Sequence, residues 1–170
     1  ALRSLLELSM TSNSILFGRL DARIGTIGHS YGGAAAYYSA WQDSRVRAVI
    51  NLDGTVFDRY DKPIEQPFMY MQNDHGYDHD IFDLVNNEGV AVVFHKEVSH
   101  HSFADYTLFW AWDFPNHKPF GPMGAKEALH FISDLSDEFF QLHFENGHAP
   151  YLMEEQSLPS GIELIHFNRH

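Results

Sequence analysis

The chain of 170 residues contains no cysteine. That excludes disulfide cross-links, thiolate nucleophiles and zinc–thiolate centres. Basic residues are scarce, 11 against 23 acidic ones, for a net charge of −12. With no basic stripe to neutralise a phosphate backbone, nucleic acid is not an expected partner. No apolar run approaches the roughly 18 residues of a membrane-crossing helix, so no transmembrane segment is expected. Internal repeats and low-complexity tracts are also lacking, and no signal-peptide pattern stands at the start. What is present suits a folded domain: 44% of the residues are hydrophobic, and the length fits one domain.

The most informative stretch is residues 24–36, Ile-Gly-Thr-Ile-Gly-His-Ser-Tyr-Gly-Gly-Ala-Ala-Ala. Gly28, Ser30 and Gly32 form a G-x-S-x-G motif between a short apolar run and a series of small residues. This is the context of a nucleophile elbow, where a strand turns sharply into a helix with serine at the apex. Gly28 and Gly32 are expected to omit side chains that would clash at the crossing. The run Gly33 to Ala36 is expected to let the helix lie close to the sheet.

Along the chain, strands are expected at 24–28, 46–52, 68–72 and about 90–95. Helices are expected at 2–10, about 31–42, 80–87 and about 124–145. The strands are near-continuous apolar runs, which indicates a parallel sheet covered on both faces. The last helix carries Leu129, Ile132, Leu135, Phe139 and Leu142 at spacings of three and four, one apolar face. Residues 146–170 read as irregular. The fold class is therefore α/β, with about four parallel strands and flanking helices.

A serine hydroxyl needs a base within hydrogen-bond reach, and the base needs an orienting acid. In this class the chain order is Ser, acid, His, and the side chains gather at the carboxyl ends of strands. Asp53 ends the second strand, and Asp74 follows the third. His100 and His101 follow the fourth, while His95 reads as still within it. Spacing alone leaves both pairs open. Asp105 reads as structural, and His29 as a packing residue of the elbow. Asp74, His75, Asp78, His79 and Asp80 form the densest acid–histidine patch, but no ligand motif supports a metal there. Phe103, Tyr106, Phe109, Trp110, Trp112 and Phe114 suit core packing better than a lipid-facing surface or acyl pocket.

Three stretches resemble the platelet-activating-factor acetylhydrolase-like branch of the α/β-hydrolases: the elbow and its approach at 18–34, Ala-Val-Ile-Asn-Leu-Asp-Gly at 48–54, and Val-Ser-His-His-Ser-Phe-Ala-Asp-Tyr at 98–106. The resemblance implies Ser30 as nucleophile, Asp53 as acid, and His100, three residues before Phe103, as base. The backbone N–H of Tyr31, where phenylalanine is usual, would be one oxyanion donor. It implies cofactor-free hydrolysis of a small-molecule or lipid ester with a short acyl chain, often on a phospholipid. The strands that should precede the elbow in this fold are not in the sequence. The 170 residues are thus expected to be the C-terminal portion of one α/β-hydrolase domain, with an unpaired sheet edge open to self-association. A noncatalytic remnant serving as an interaction module is the alternative reading.

Overall fold

The computed structural model describes residues 7–56, 63–73, 83–86, 88–113 and 121–167. Strands β1 (Ile24–His29), β2 (Val46–Leu52), β3 (Phe68–Asn73) and β4 (Gly89–Phe94) run parallel and lie side by side in chain order. Helix α1 (Tyr31–Gln42) follows β1. A 3₁₀ turn (His100–Phe103) and helix α2 (Tyr106–Asp113) follow β4, and the long helix α3 (Ala125–Glu145) comes next. Parallel neighbours require crossovers, so every strand delivers its carboxyl end to the same edge of the sheet.

A fifth strand, β5 (Ile162–Phe167), pairs antiparallel with β4, from Gly89↔Phe167 to Phe94↔Ile162. This corrects the expectation of four strands and an irregular tail. The segment Ile-Glu-Leu-Ile-His-Phe is short, and Glu163 and His166 interrupt its apolar run. An antiparallel edge strand needs only one well-covered face, so it tolerates such residues. His95 lies just beyond β4 rather than inside it, where its ring bonds Glu163 at 2.8 Å.

The two faces of the sheet carry separate cores. On one, Ala128, Phe131, Ile132, Leu135 and Phe139 of α3 pack on Ile50, Met69, Met71, Val92 and Phe94. On the other, Ala36, Tyr37 and Ala40 of α1 meet Val49, Phe68 and Tyr70. The Val, Leu, Ile, Phe and Met side chains among them each stabilise the fold by about 1.5–3 kcal/mol when fully buried. Of the apolar face read for α3, Ile132, Leu135 and Phe139 are buried, whereas Leu129 and Leu142 are half-buried and Ala128 and Phe131 complete the packed face. Small residues let α1 approach closely, and the Tyr37 hydroxyl reaches across to donate to the Leu84 carbonyl at 2.9 Å.

β1 is an outer strand: among the described residues its ladder partner is β2, and Ile27 is 49% exposed. Of the helix expected at 2–10, residues 7–9 are helical and 1–6 lie outside the described residues. Of the one expected at 80–87, a 3₁₀ turn covers 83–84 and Val85 instead bridges Ile64; 80–82 and 87 lie outside the described residues.

Candidate active site

Ser30 occupies the single residue between β1 and α1, with φ 57° and ψ −122°. A non-glycine residue held there costs about 1–3 kcal/mol and needs firm surroundings. Its N–H donates to the Leu52 carbonyl at 2.8 Å, extending the β1–β2 ladder by one step. Its own carbonyl accepts the N–H groups of Gly33 (2.9 Å) and Ala34 (3.3 Å), the first bonds of α1. The turn is tight at Gly28, where a Cβ would stand 2.1 Å from the Gly32 carbonyl oxygen. Gly32 is different from expectation, since a Cβ there would meet nothing within 4 Å. The second close approach is at Gly33, 2.0 Å from Asn51 Oδ1.

Asp53 stands one residue beyond β2 with φ 53°. Its N–H donates to the Met71 carbonyl at 2.7 Å, and this extends the β2–β3 ladder. Buried Asn51 clamps the following turn: its Nδ2 donates to the Gly54 carbonyl, and its Oδ1 accepts the Gly54 N–H, both at 2.8 Å. Asn73, at the end of β3, holds the carboxylate. Its N–H donates to Asp53 Oδ1 at 2.9 Å, and its Nδ2 donates to Oδ2 at 2.8 Å.

His100 opens the 3₁₀ turn after β4. The Ser99 N–H donates to Ser102 Oγ at 3.1 Å, and the Ser102 N–H donates to the Ser99 carbonyl at 2.9 Å. Phe103 is buried edge-on against Phe94 and fastens the turn to the core. His100 Nδ1 lies 2.5 Å from Asp53 Oδ2, and Nε2 lies 3.0 Å from Ser30 Oγ. A carboxylate only accepts, so Nδ1 carries the proton, and Nε2 is left to accept from the serine hydroxyl. The Asp53 side chain is 10% exposed and that of His100 41%. The acid is therefore shielded, while the imidazole opens toward solvent.

The structure thus brings Ser30, Asp53 and His100 together. His101 is exposed and sets its ring edge-on to His100 and Tyr106, both at 5.8 Å. Asp74, His75, Asp78, His79 and Asp80 lie outside the described residues, among which no group of three or more His, Asp or Glu could hold a metal. His29 does more than pack: its Nε2 is 2.8 Å from the His100 carbonyl oxygen. Burial pushes its pKa below the usual histidine value, and the neighbouring His100 adds to this. The aromatic segment divides rather than forming core throughout. Phe103 is buried, whereas Tyr106, Phe109 and Trp110 on α2 are exposed; Phe114 and the Trp112 side chain lie outside the described residues. Asp105 precedes α2, where its carbonyl accepts the Leu108 N–H.

Sequence reading missed Asn51 and Asn73. Both are polar residues near the carboxyl ends of strands made mainly of apolar residues, where a side chain can reach a site at the sheet edge.

Residues 6–146 match the family model of platelet-activating factor acetylhydrolase, isoform II. That is most of the chain, and the chain belongs to this family. No match to a curated protein was found. Among solved structures, a ferulic acid esterase from Streptomyces cinnamoneus is similar at 24% identity with a TM-score of 0.75. The match covers 96% of this chain and 52% of the esterase, so the chain spans about half the length of that relative. The fold is that of the α/β-hydrolases.

Proposed function

We propose that Ser30, His100 and Asp53 form the catalytic triad of a serine carboxylic ester hydrolase acting on short-chain acyl esters, phospholipid acetyl esters included. One observation carries the reading: the hydrogen-bond chain from Ser30 Oγ through His100 to Asp53, with steps of 3.0 and 2.5 Å. Family membership supports the ester class, and the acetyl preference rests on the family's description.

In this reading Ser30 Oγ attacks the ester carbonyl carbon as its proton passes to His100 Nε2. Asp53 keeps the Nδ1–H tautomer and stabilises the imidazolium that forms. The carbonyl oxygen becomes an oxyanion beside the first turn of α1, where the Tyr31 N–H is one donor and the helix dipole favours negative charge. Collapse breaks the bond to the leaving alcohol, which takes the proton from Nε2. Water then enters by the same route in reverse and releases the acid from Ser30. Tyr31, next in the chain after the nucleophile, is 78% exposed.

The 170 residues belong in this reading to the C-terminal portion of one α/β-hydrolase domain; the half-length match to the esterase supports a portion, and the resemblance of the elbow region supplies its placement. The outer edge of β1, unpaired among the described residues, supports self-association by strand pairing.

The test is labelling with a fluorophosphonate probe and mapping of the adduct. Ser30 is expected to carry it, and Ser30→Ala to abolish it. A folded sample whose Ser30 stays unmodified would refute the catalytic reading. Hydrolysis of p-nitrophenyl acetate, butyrate and octanoate then tests chain length, with the acetate expected to be fastest.

A further inference from the structure

His29 stands apart from the rest of the elbow because of where its ring goes. A histidine between Gly28 and the nucleophile could simply fill space at the end of β1. Its ring instead crosses to the loop after β4, 71 residues away in sequence. The carbonyl of His100 can only accept, so His29 Nε2 carries the proton of that 2.8 Å bond. The same ring lies 4.6 Å from the His100 ring, tilted by 43°, and 6.3 Å from Phe103, inclined by 21°. One side chain therefore touches the main chain of His100, its imidazole, and the aromatic that fastens the turn.

The other supports of the turn act differently. The bonds between Ser99 and Ser102 shape the turn but tie it only to itself. Phe103 holds it by apolar packing, which has no direction of its own. The His29 bond is directional, and it runs from the residue preceding Ser30 to His100 itself. It therefore relates the two partners of the proton transfer through a short stretch of main chain.

We infer that His29 is a positioning residue that sets the distance between Ser30 Oγ and His100 Nε2. The inference rests on the proposed triad. The charged and titratable groups facing His29 are His100 and His101 from the turn and Asp53 from the end of β2. Burial and the neighbouring His100 favour the neutral ring. The strut is then uncharged when His100 accepts the serine proton, and no second cation opposes the imidazolium.

The test uses two variants. His29→Phe keeps a buried ring against Phe103 but has no donor. His29→Gln restores an N–H donor on a side chain of similar reach. The readouts are kcat and KM for p-nitrophenyl acetate, and the His100 Nδ1–H resonance in the proton NMR spectrum. His29→Phe is expected to lose about 10- to 100-fold in kcat, the scale of a displaced catalytic group, with KM little changed. Its Nδ1–H resonance is expected to shift or broaden, and His29→Gln to recover most of both. An unchanged kcat and resonance in His29→Phe would overturn the inference, as would a loss that glutamine fails to restore. If the wild-type protein hydrolyses nothing, the esterase reading fails and the resonance alone decides. Loss with phenylalanine and recovery with glutamine still support the strut; an unaltered signal rejects it.

Discussion

Asn73→Ala is the sharpest perturbation of the acid. Asp53 accepts three hydrogen bonds: the Asn73 N–H on Oδ1, and both Asn73 Nδ2 and His100 Nδ1 on Oδ2. Truncation leaves the main-chain bond and removes the amide donor to Oδ2. Both partners are shielded, with Asn73 5% exposed and the Asp53 side chain 10%. Water therefore has little room to replace the lost donor. A hydrogen bond to a charged group contributes about 1.5–3 kcal/mol. At about 2–4 °C per kcal/mol for a chain of this size, the midpoint of thermal unfolding is expected to fall by about 3–12 °C. With one of the two bonds at Oδ2 gone, the carboxylate is held less firmly against His100, so kcat is expected to fall about tenfold or more while KM holds.

The assay pairs thermal unfolding with p-nitrophenyl acetate kinetics, and Asn73→Asp is the control. That variant faces Asp53 with a second carboxylate, and adjacent like charges oppose joint ionisation. Its loss is expected to exceed that of alanine and to shrink as the pH approaches the carboxylate range. Asn73→Ala with unaltered unfolding and unaltered kcat would refute the reasoning, because the amide would then contribute nothing to holding the acid.

Two further outcomes follow from the same geometry. Gly54→Ala would place a Cβ 2.1 Å from the Ser30 carbonyl oxygen and 2.6 Å from Asn51 Oδ1. Main chain must move to admit it, so urea unfolding is expected to show a loss of about 1–3 kcal/mol, with activity falling further than stability explains. Stability is expected to decline as the pH drops below about 6.5: burial lowers the folded-state pKa of His29 and His143, so the unfolded chain binds protons there that the folded chain refuses. Urea unfolding at pH 7.5 and 5.5 checks this, and His143→Phe is expected to flatten part of the slope.

The sequence was most legible where one physical signal dominated. Continuous apolar runs marked β2 to β4 within a residue or so, and the three-and-four spacing of Leu135 and Phe139 marked α3. β5 escaped because an edge strand admits Glu163 and His166, which break the pattern by which strands are read. His95 was misplaced because the chain leaves β4 at Phe94 and turns through Lys96 at φ 63°. Ser30 was findable from its motif, chain order narrowed its partners to Asp53 or Asp74 and His100 or His101, and the family resemblance chose Asp53 and His100. The supports Asn73 and the His29 bond were not findable, since each acts on a partner that only the tertiary fold brings near, and the Asn51 clamp on Gly54 is local but carries no motif.

Those supports explain how two strained residues can persist side by side. Ser30 and Asp53 both hold positive φ without being glycine, at about 1–3 kcal/mol each. Neither is relieved locally. Each stands one residue past its strand and continues the ladder, Ser30 N–H to Leu52 and Asp53 N–H to Met71. Asn73 N–H then bonds the Asp53 side chain, carrying the series to the end of β3. Three adjacent strand ends are thus linked in sequence, and relaxing either strained residue would break a bond to its neighbour. The same stagger spaces Ser30 from Asp53, and His100, from the turn that follows β4, bonds both. Strain and site geometry therefore have one cause: ladder bonds that run one residue beyond the pairing of the parallel strands.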